Sequence, residues 1–243
     1  MKKNFSLSLI SAALVLLACA PARAQDGPVW QVTRFDVTAN VPAATTRSLA
    51  ARAVVNARNV GRGPGRSFTV RINPAAEVRS VTVGGAAAQF TARPESRTKL
   101  NAVATTLPAT VPPGGEVSVA YDYAVPVEAN TGLAAISPEG SQFLPLSNWY
   151  PTPNSPVSPR GSDTAPLRLT VNAPAGESVV STGALAGSTF EQALNVQPFF
   201  LTGRWETVEG AGDARGVSAY LMRGAGAEER ARAENLIALA AAA

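Results

Sequence analysis

The stretch Glu116-Val117-Ser118-Val119-Ala120-Tyr121-Asp122-Tyr123 decides the fold. Val117, Val119, Tyr121 and Tyr123 alternate with Ser118, Ala120 and Asp122. That period of two places one set on an apolar face of an extended chain and the other on a polar face. Two more segments repeat the pattern. Phe68, Val70 and Ile72 oppose Ser67, Thr69 and Arg71, and Leu167, Leu169 and Val171 oppose Arg168, Thr170 and Asn172. Turn residues separate these runs: Gly61 to Gly65, Asn73-Pro74, Gly84-Gly85, Pro112 to Gly115 and Ala173 to Gly176. Further strands are expected at Trp30 to Val41, Leu49 to Val60, Val78 to Val83, Ala87 to Arg93, Val179 to Thr182, Phe199 to Val208 and Val217 to Met222. Many short strands with regular turns predict an all-β fold, an Ig-like or saddle-shaped β-sandwich.

Two regions depart from this pattern. Between Pro126 and Pro166 eight prolines fall and the alternation lapses, so the segment reads as an ordered excursion. Phe143, Leu144, Trp149 and Tyr150 lie inside it and are too bulky and apolar for a solvated linker. From Gly224 onward, Glu228 and Glu229 open a run of helix formers with Leu236, Ile237 and Leu239 as its apolar stripe. The run reaches Ala241-Ala242-Ala243 with no Gly, Asn or Pro to close it, so the chain reads as cut within a helix whose apolar face has nothing to meet. Without a partner, residues from about Ala227 onward are expected to fray unless they fold back or self-associate.

The other end reads as a leader. Met1, Lys2 and Lys3 precede the apolar run Phe5 to Ala18, and Ala22-Arg23-Ala24 offers a cleavage site, so 1–24 is expected to be a signal peptide of an exported, periplasmic or secreted protein. Cys19, after Leu16-Leu17-Ala18, supports a competing fate, a lipoprotein anchored through that cysteine. Residues 25–223 then form the β domain and 224–243 the opening of a helix. No membrane span is expected in the mature chain.

Composition excludes several chemistries. Among 243 residues there is no His and a single Cys, which removes imidazole bases, His-dependent triads and His-containing zinc sites. The chain carries 21 Lys and Arg against 17 Asp and Glu. Losing Lys2, Lys3 and Arg23 with the leader leaves 18 against 17, too balanced and too scattered for nucleic-acid binding. Gly61 to Ser67 lacks phosphate-loop spacing and reads as a hairpin turn. Asp122, Glu128, Glu139 and Asp163 could pair for glycoside hydrolysis, but no spacing singles them out from solvated charges. Trp149, Tyr150 and Trp205 could stack on sugars, and core packing is the competing reading.

The order of features resembles the N-terminal domain of the aminopeptidase N type of zinc metallopeptidase, the gluzincin family that includes leukotriene hydrolase. The resemblance rests on Arg34-Phe35-Asp36-Val37, Val83-Gly84-Gly85 with Gln89-Phe90, Leu107 with Pro113 to Tyr121, Trp149-Tyr150-Pro151, Leu167 to Val171 leading to Ser181-Thr182-Gly183, and Phe199 to Trp205. It covers the chain from about Val29 to its end. It implies a catalytic domain in cis, carrying H-E-x-x-H and zinc, that this sequence lacks, and makes 224–243 the first helix of that missing helical domain. No cofactor is therefore expected in this chain, which should be inactive alone, and a peptide is the implied substrate. The resemblance places one substrate-binding residue here, Gln142, aimed at the substrate's amine. Leu144 and Pro145 stand where the family has an acidic neighbour, and a loop glutamine bonded to backbone is the competing reading. A stand-alone periplasmic binding module for peptide or glycan is the alternative function.

Overall fold

The computed structural model describes residues 27–153, 165–194 and 198–242. The leader, Cys19 and Asp163 lie outside the described residues. The deciding stretch forms β8 (Glu116–Pro126), the third of three long central strands with β1 (Trp30–Asn40) and β2 (Ser48–Asn59). These belong to an eight-stranded sheet. On one side it is extended by β12 (Leu167–Asn172), β15 (Thr189–Gln192) and β14 (Ala184–Ala186), and on the other by β4 (Glu77–Val83) and β5 (Ala86–Ala87). All its pairs are antiparallel except β1 with β12, where Phe35 lies opposite Leu167 and Asn40 opposite Asn172.

Two four-stranded sheets complete the body. In one, β11 (Thr152–Pro153) lies beside β3 (Gly65–Ile72), then β7 (Asn101–Val111), then β6 (Phe90–Pro94). In the other, termed the small sheet, the order is β13 (Ser178–Ser181), β16 (Phe200–Gly203), β10 (Gly140–Phe143) and β9 (Ala134–Ser137). One continuous core joins the inner faces of all three sheets. Trp30 meets Phe68 edge to face at 5.5 Å, and Phe35 meets Tyr150 at 6.2 Å. Fully buried Trp149 contacts Phe200 at 5.0 Å, and Phe143 stacks on Phe200 at 5.2 Å. The indole nitrogen of Trp149 donates to the Pro198 carbonyl at 3.1 Å, so the buried polar atom is satisfied.

The fold is all-β with one terminal helix, as the alternation predicts, and the three clearest runs bury the residues expected of them. Several expectations need correction. The excursion between Pro126 and Pro166 contains β9, β10 and β11, whose two to four residues each are too few to display a period. Ala87 to Arg93 is not one strand. The chain changes sheets there: the Ala88 amide bonds Val81 of the large sheet, while the Gln89 carbonyl accepts from Thr106 of the other. Phe199 to Val208 also divides, with β16 ending at Gly203 and β17 (Trp205–Glu209) pairing instead with β18 (Ser218–Met222).

The helix α1 (Ala227–Ala241) corrects the picture of an unpartnered stripe. It folds back on the β17–β18 hairpin through Ala233 and Ile237, four residues apart on one face and both buried, while Arg230 bonds Glu206 at 2.7 Å. Leu236 and Leu239 remain exposed. Val208, Ala233 and Ile237 thus form a second, small core separate from that of the sandwich.

Candidate functional site

Gln142 sits in the middle of β10, flanked by Ala135 of β9 and Leu201 of β16, with Val180 of β13 one strand further. Alternation sends Ser141 and Phe143 into the core and turns Gly140 and Gln142 outward. Two glycines make room at this end of the strand. A Cβ at Gly140 would lie 2.1 Å from the Thr202 carbonyl, and one at Gly203 would lie 2.6 Å from the Trp205 ring. Trp205 can therefore lie against the sheet backbone, where it bounds a shallow groove of about 160 Å³ lined by Glu139, Gln142, Leu201, Trp205 and Met222 among others.

The loop before β9 fixes the amide of Gln142. Its Nε2 donates to the carbonyls of Thr131 at 3.3 Å and Gly132 at 3.1 Å. With the nitrogen committed to two acceptors, Oε1 faces away as an acceptor, and it takes no donor among the described residues. The loop itself is held from behind by Arg47. That guanidinium donates to Val127 O at 2.9 Å, Ile136 O at 3.3 Å and Asn130 Oδ1 at 2.7 Å. The Thr131 hydroxyl in turn accepts from the amides of Leu133 and Ala134. The reading of Gln142 as a loop glutamine bonded to backbone is therefore right for its nitrogen, although the residue lies on a strand, and its oxygen remains available.

Glu139 occupies the β9–β10 turn. The Ser137 hydroxyl and the residue's own amide hold its carboxyl below the usual carboxylate range, and the same hydroxyl lies 3.0 Å from the Gly140 carbonyl. Glu139 forms no ion pair among the described residues. Of the other carboxylates weighed for glycoside hydrolysis, Asp122 lies on the large sheet, bonded to Arg52 at 2.6 Å and Ser80 at 3.0 Å. The indole nitrogen of Trp205 is buried and has no partner among the described residues. Trp149 and Tyr150 are core residues, which removes the stacking platform for sugars, and only Trp205 of the three borders the groove.

The outward face around Gln142 is apolar. The pairing of β9 with β10 continues through the Leu144 amide and Leu133 carbonyl at 2.8 Å, which sets Leu133 and Leu144 beside Ala135, Leu201 and Val180. Leu133 is 40% exposed and Leu146, in the following 3-10 turn, 68%. Of the site expected from the sequence, Gln142 alone is a member, and it stands on the outward face of β10. Glu139 joins it from the adjoining turn, and Trp205 and Met222 from a separate hairpin that only the fold brings alongside, so nothing in the spacing of those two marks them as its neighbours.

This arrangement of three sheets has the architecture of the N-terminal β domain of M1 zinc metallopeptidases. An M1 zinc metallopeptidase from Deinococcus radiodurans bound to a Tyr-Ser-Ala substrate matches with a TM-score of 0.54 and 18% identity, over 87% of this chain and 53% of its own. A second structure of an M1 zinc metallopeptidase from the same organism matches at 0.53 and 19%, over 84% and 52%. LTA4 hydrolase from yeast in complex with bestatin matches at 0.64 and 10%, over 93% and 37%. The likeness is one of fold, and the chain spans about half the length of the bacterial structures it matches. No protein-family profile and no curated protein sequence matches.

The residues present do not fit a zinc ion. The sequence has no His, and no three Cys, Asp or Glu side chains cluster among the described residues. Among those residues no helix is long and apolar enough to cross a membrane.

Proposed function

We propose that the chain is the N-terminal, non-catalytic β domain of an exported aminopeptidase-like metallopeptidase, packing on a zinc domain in cis and walling one side of its cleft. The observation that carries this reading is the outward face of the small sheet, an apolar surface with one hydrogen-bond acceptor held in a fixed direction. Burying half-exposed leucines such as Leu133 and Leu144 would contribute roughly 1 kcal/mol each. In that setting Gln142 Oε1 accepts from the ammonium group of a peptide substrate, zinc and the general base belong to the partner domain, and this chain positions rather than reacts. Export follows from the leader at 1–24, with acylation at Cys19 as the other route. Intact mass of the mature protein separates the two.

The coding DNA past codon 243 provides the first test. An in-frame continuation with H-E-x-x-H is expected, and a stop codon directly after 243 overturns the reading. In the longer protein, hydrogen exchange should protect the edge of the small sheet around Leu133 to Leu144 more than in residues 25–243 alone. Equal exchange in the two would remove the packing surface.

A further inference from the structure

We infer that the Gly203–Arg204 peptide is a hinge about which residues 205–242 turn as one body, between the closed arrangement of the structure and an open one in which the hairpin lifts from the small sheet. Among the described residues the chain crosses between the two bodies once. Gly203 is the last residue paired in the small sheet, opposite Gly140 and Ser178, and Trp205 is the first paired with β18, opposite Met222. Beyond the crossing each body is built on its own. Val208, Ala233 and Ile237 are buried outside the sandwich core, and Arg230 pairs with Glu206 inside the same unit. The Arg223 amide bonds the Arg204 carbonyl at 2.7 Å, at the hinge itself, and no other hydrogen bond or ion pair among the described residues ties 205–242 to the sandwich. The seat of the closed arrangement is one side chain, the Trp205 ring on the backbone of Gly203, where a Cβ would stand 2.6 Å from it. That seat carries a cost, because the indole N–H is buried with no partner among the described residues. Lifting the hairpin gives this donor to water. Trp30 and Trp149 gain nothing comparable, since their indoles already donate to the Ser67 and Pro198 carbonyls. A contact this small does not fix the orientation of two bodies, and a glycine at the end of a strand absorbs the change in backbone angles with little strain. The motion sets the width of the groove whose walls are Ala135 and Leu201 on one side and Trp205 and Met222 on the other.

The test combines spin-label distances with exchange at the indoles. Cys19→Ser removes the chain's single thiol, so two introduced cysteines are labelled alone. Thr91→Cys with Glu234→Cys reports across the hinge, and Thr91→Cys with Ala184→Cys reports within the sandwich; all three positions are exposed. The pair across the hinge is expected to give two distance populations and the pair within the sandwich one. Gly203→Ala, whose methyl would displace the Trp205 ring, should move the first pair further toward the open population and leave the second unchanged. The Trp205 indole N–H should exchange with solvent at least about tenfold faster than that of Trp149, while the α1 amides stay protected. A distance distribution across the hinge as narrow as that within the sandwich overturns the inference, as does a Trp205 indole protected as well as that of Trp149. Two populations with unprotected α1 amides also overturn it, because the unit then unfolds instead of turning.

Discussion

The large sheet and the small sheet turn opposite kinds of surface to the outside. On the large sheet the outward residues form polar rows across the strands. Arg52 pairs with Asp122 and Arg168 with Glu191, Thr170 bonds Thr189 at 3.1 Å, and Asn172 donates to Asn40 at 2.7 Å. These groups find their partners on neighbouring strands, Arg34 and Asp36 pair within β1 at 2.7 Å, and the face is suited to water. On the small sheet the corresponding positions are Ala135, Leu201, Val180, Leu133 and Leu144, with one amide whose oxygen is left over. Both sheets bury their inner faces in the same core, so folding of this domain does not explain the difference. An outward face with such an apolar patch at its centre is a face to be covered.

The comparison assumes that the small sheet's inner face is integral to the core, and Trp149→Ala tests that with the largest effect. Urea unfolding should show a loss of about 3 to 5 kcal/mol. A loss under about 1 kcal/mol would mean that the small sheet is only loosely attached. Ile237→Ala addresses the second core under α1. Amide exchange in the helix should speed up roughly 30-fold or more, for a local loss of at least about 2 kcal/mol, while β8 is unaffected. Loss of protection in β8 would show that the two cores unfold together.

Charge can be tested at a pair that belongs to neither outward face. Arg71, beside Thr98, holds the Glu95 carboxyl at about 2, well under its ordinary value of 4.5. Because the folded value is the lower one, the pair's contribution is fully present above pH 4.5 and is lost as pH falls toward 2. Glu95→Gln should flatten the stability profile in that window, and a profile identical to wild type would assign the slope to other carboxylates. Arg52→Ala on the large sheet should cost only about 0.2 to 1 kcal/mol, less at high salt. The smallest effect is expected where the comparison is sharpest. Leu144→Asp should change the stability of the isolated domain by no more than about 0.5 kcal/mol, and yet abolish packing of the small sheet on the partner domain proposed for it. If it unfolds the isolated domain, the outward face is already covered within this chain.

The strands that can be read from the sequence are those whose period has a strong amplitude. In β8, valine and tyrosine alternate with serine and aspartate over seven residues, and all four large side chains are buried as expected. β7 is hidden because Ala102, Ala104, Thr105 and Thr106 differ too little in polarity to mark a face, although Val103 and Leu107 share one with Thr105. Thr105 is itself fully buried, its hydroxyl 3.4 Å from that of Tyr121. The sheet changes at Ala88 and Arg204 leave no trace in composition, since an extended chain stays extended while its partners change. In α1 the leucines Leu236 and Leu239 dominate the apolar stripe, but the hairpin selects Ala233 and Ile237, because a shallow contact over glycine-containing backbone at Gly210 favours a small residue and one branched one. Gln142 is singled out in the sequence only by its resemblance to the family's pattern. Its fixed orientation is not legible there, since Arg47 and Thr131 act on it through a loop that only the fold closes.

The parallel pairing of β1 with β12 also has a bearing on how the chain is made. Asn40 and Asn172, bonded in the finished sheet, are separated by 132 residues. The central strand of the large sheet therefore stays without one neighbour until translation has passed residue 172. A loop of that size is costly to close, and topologies dominated by such distant pairings fold in milliseconds to seconds rather than microseconds. The nascent domain thus remains an incomplete sheet, with β1 presenting an open edge, for most of its synthesis. Anything that must act on the unfolded chain has that interval in which to do so.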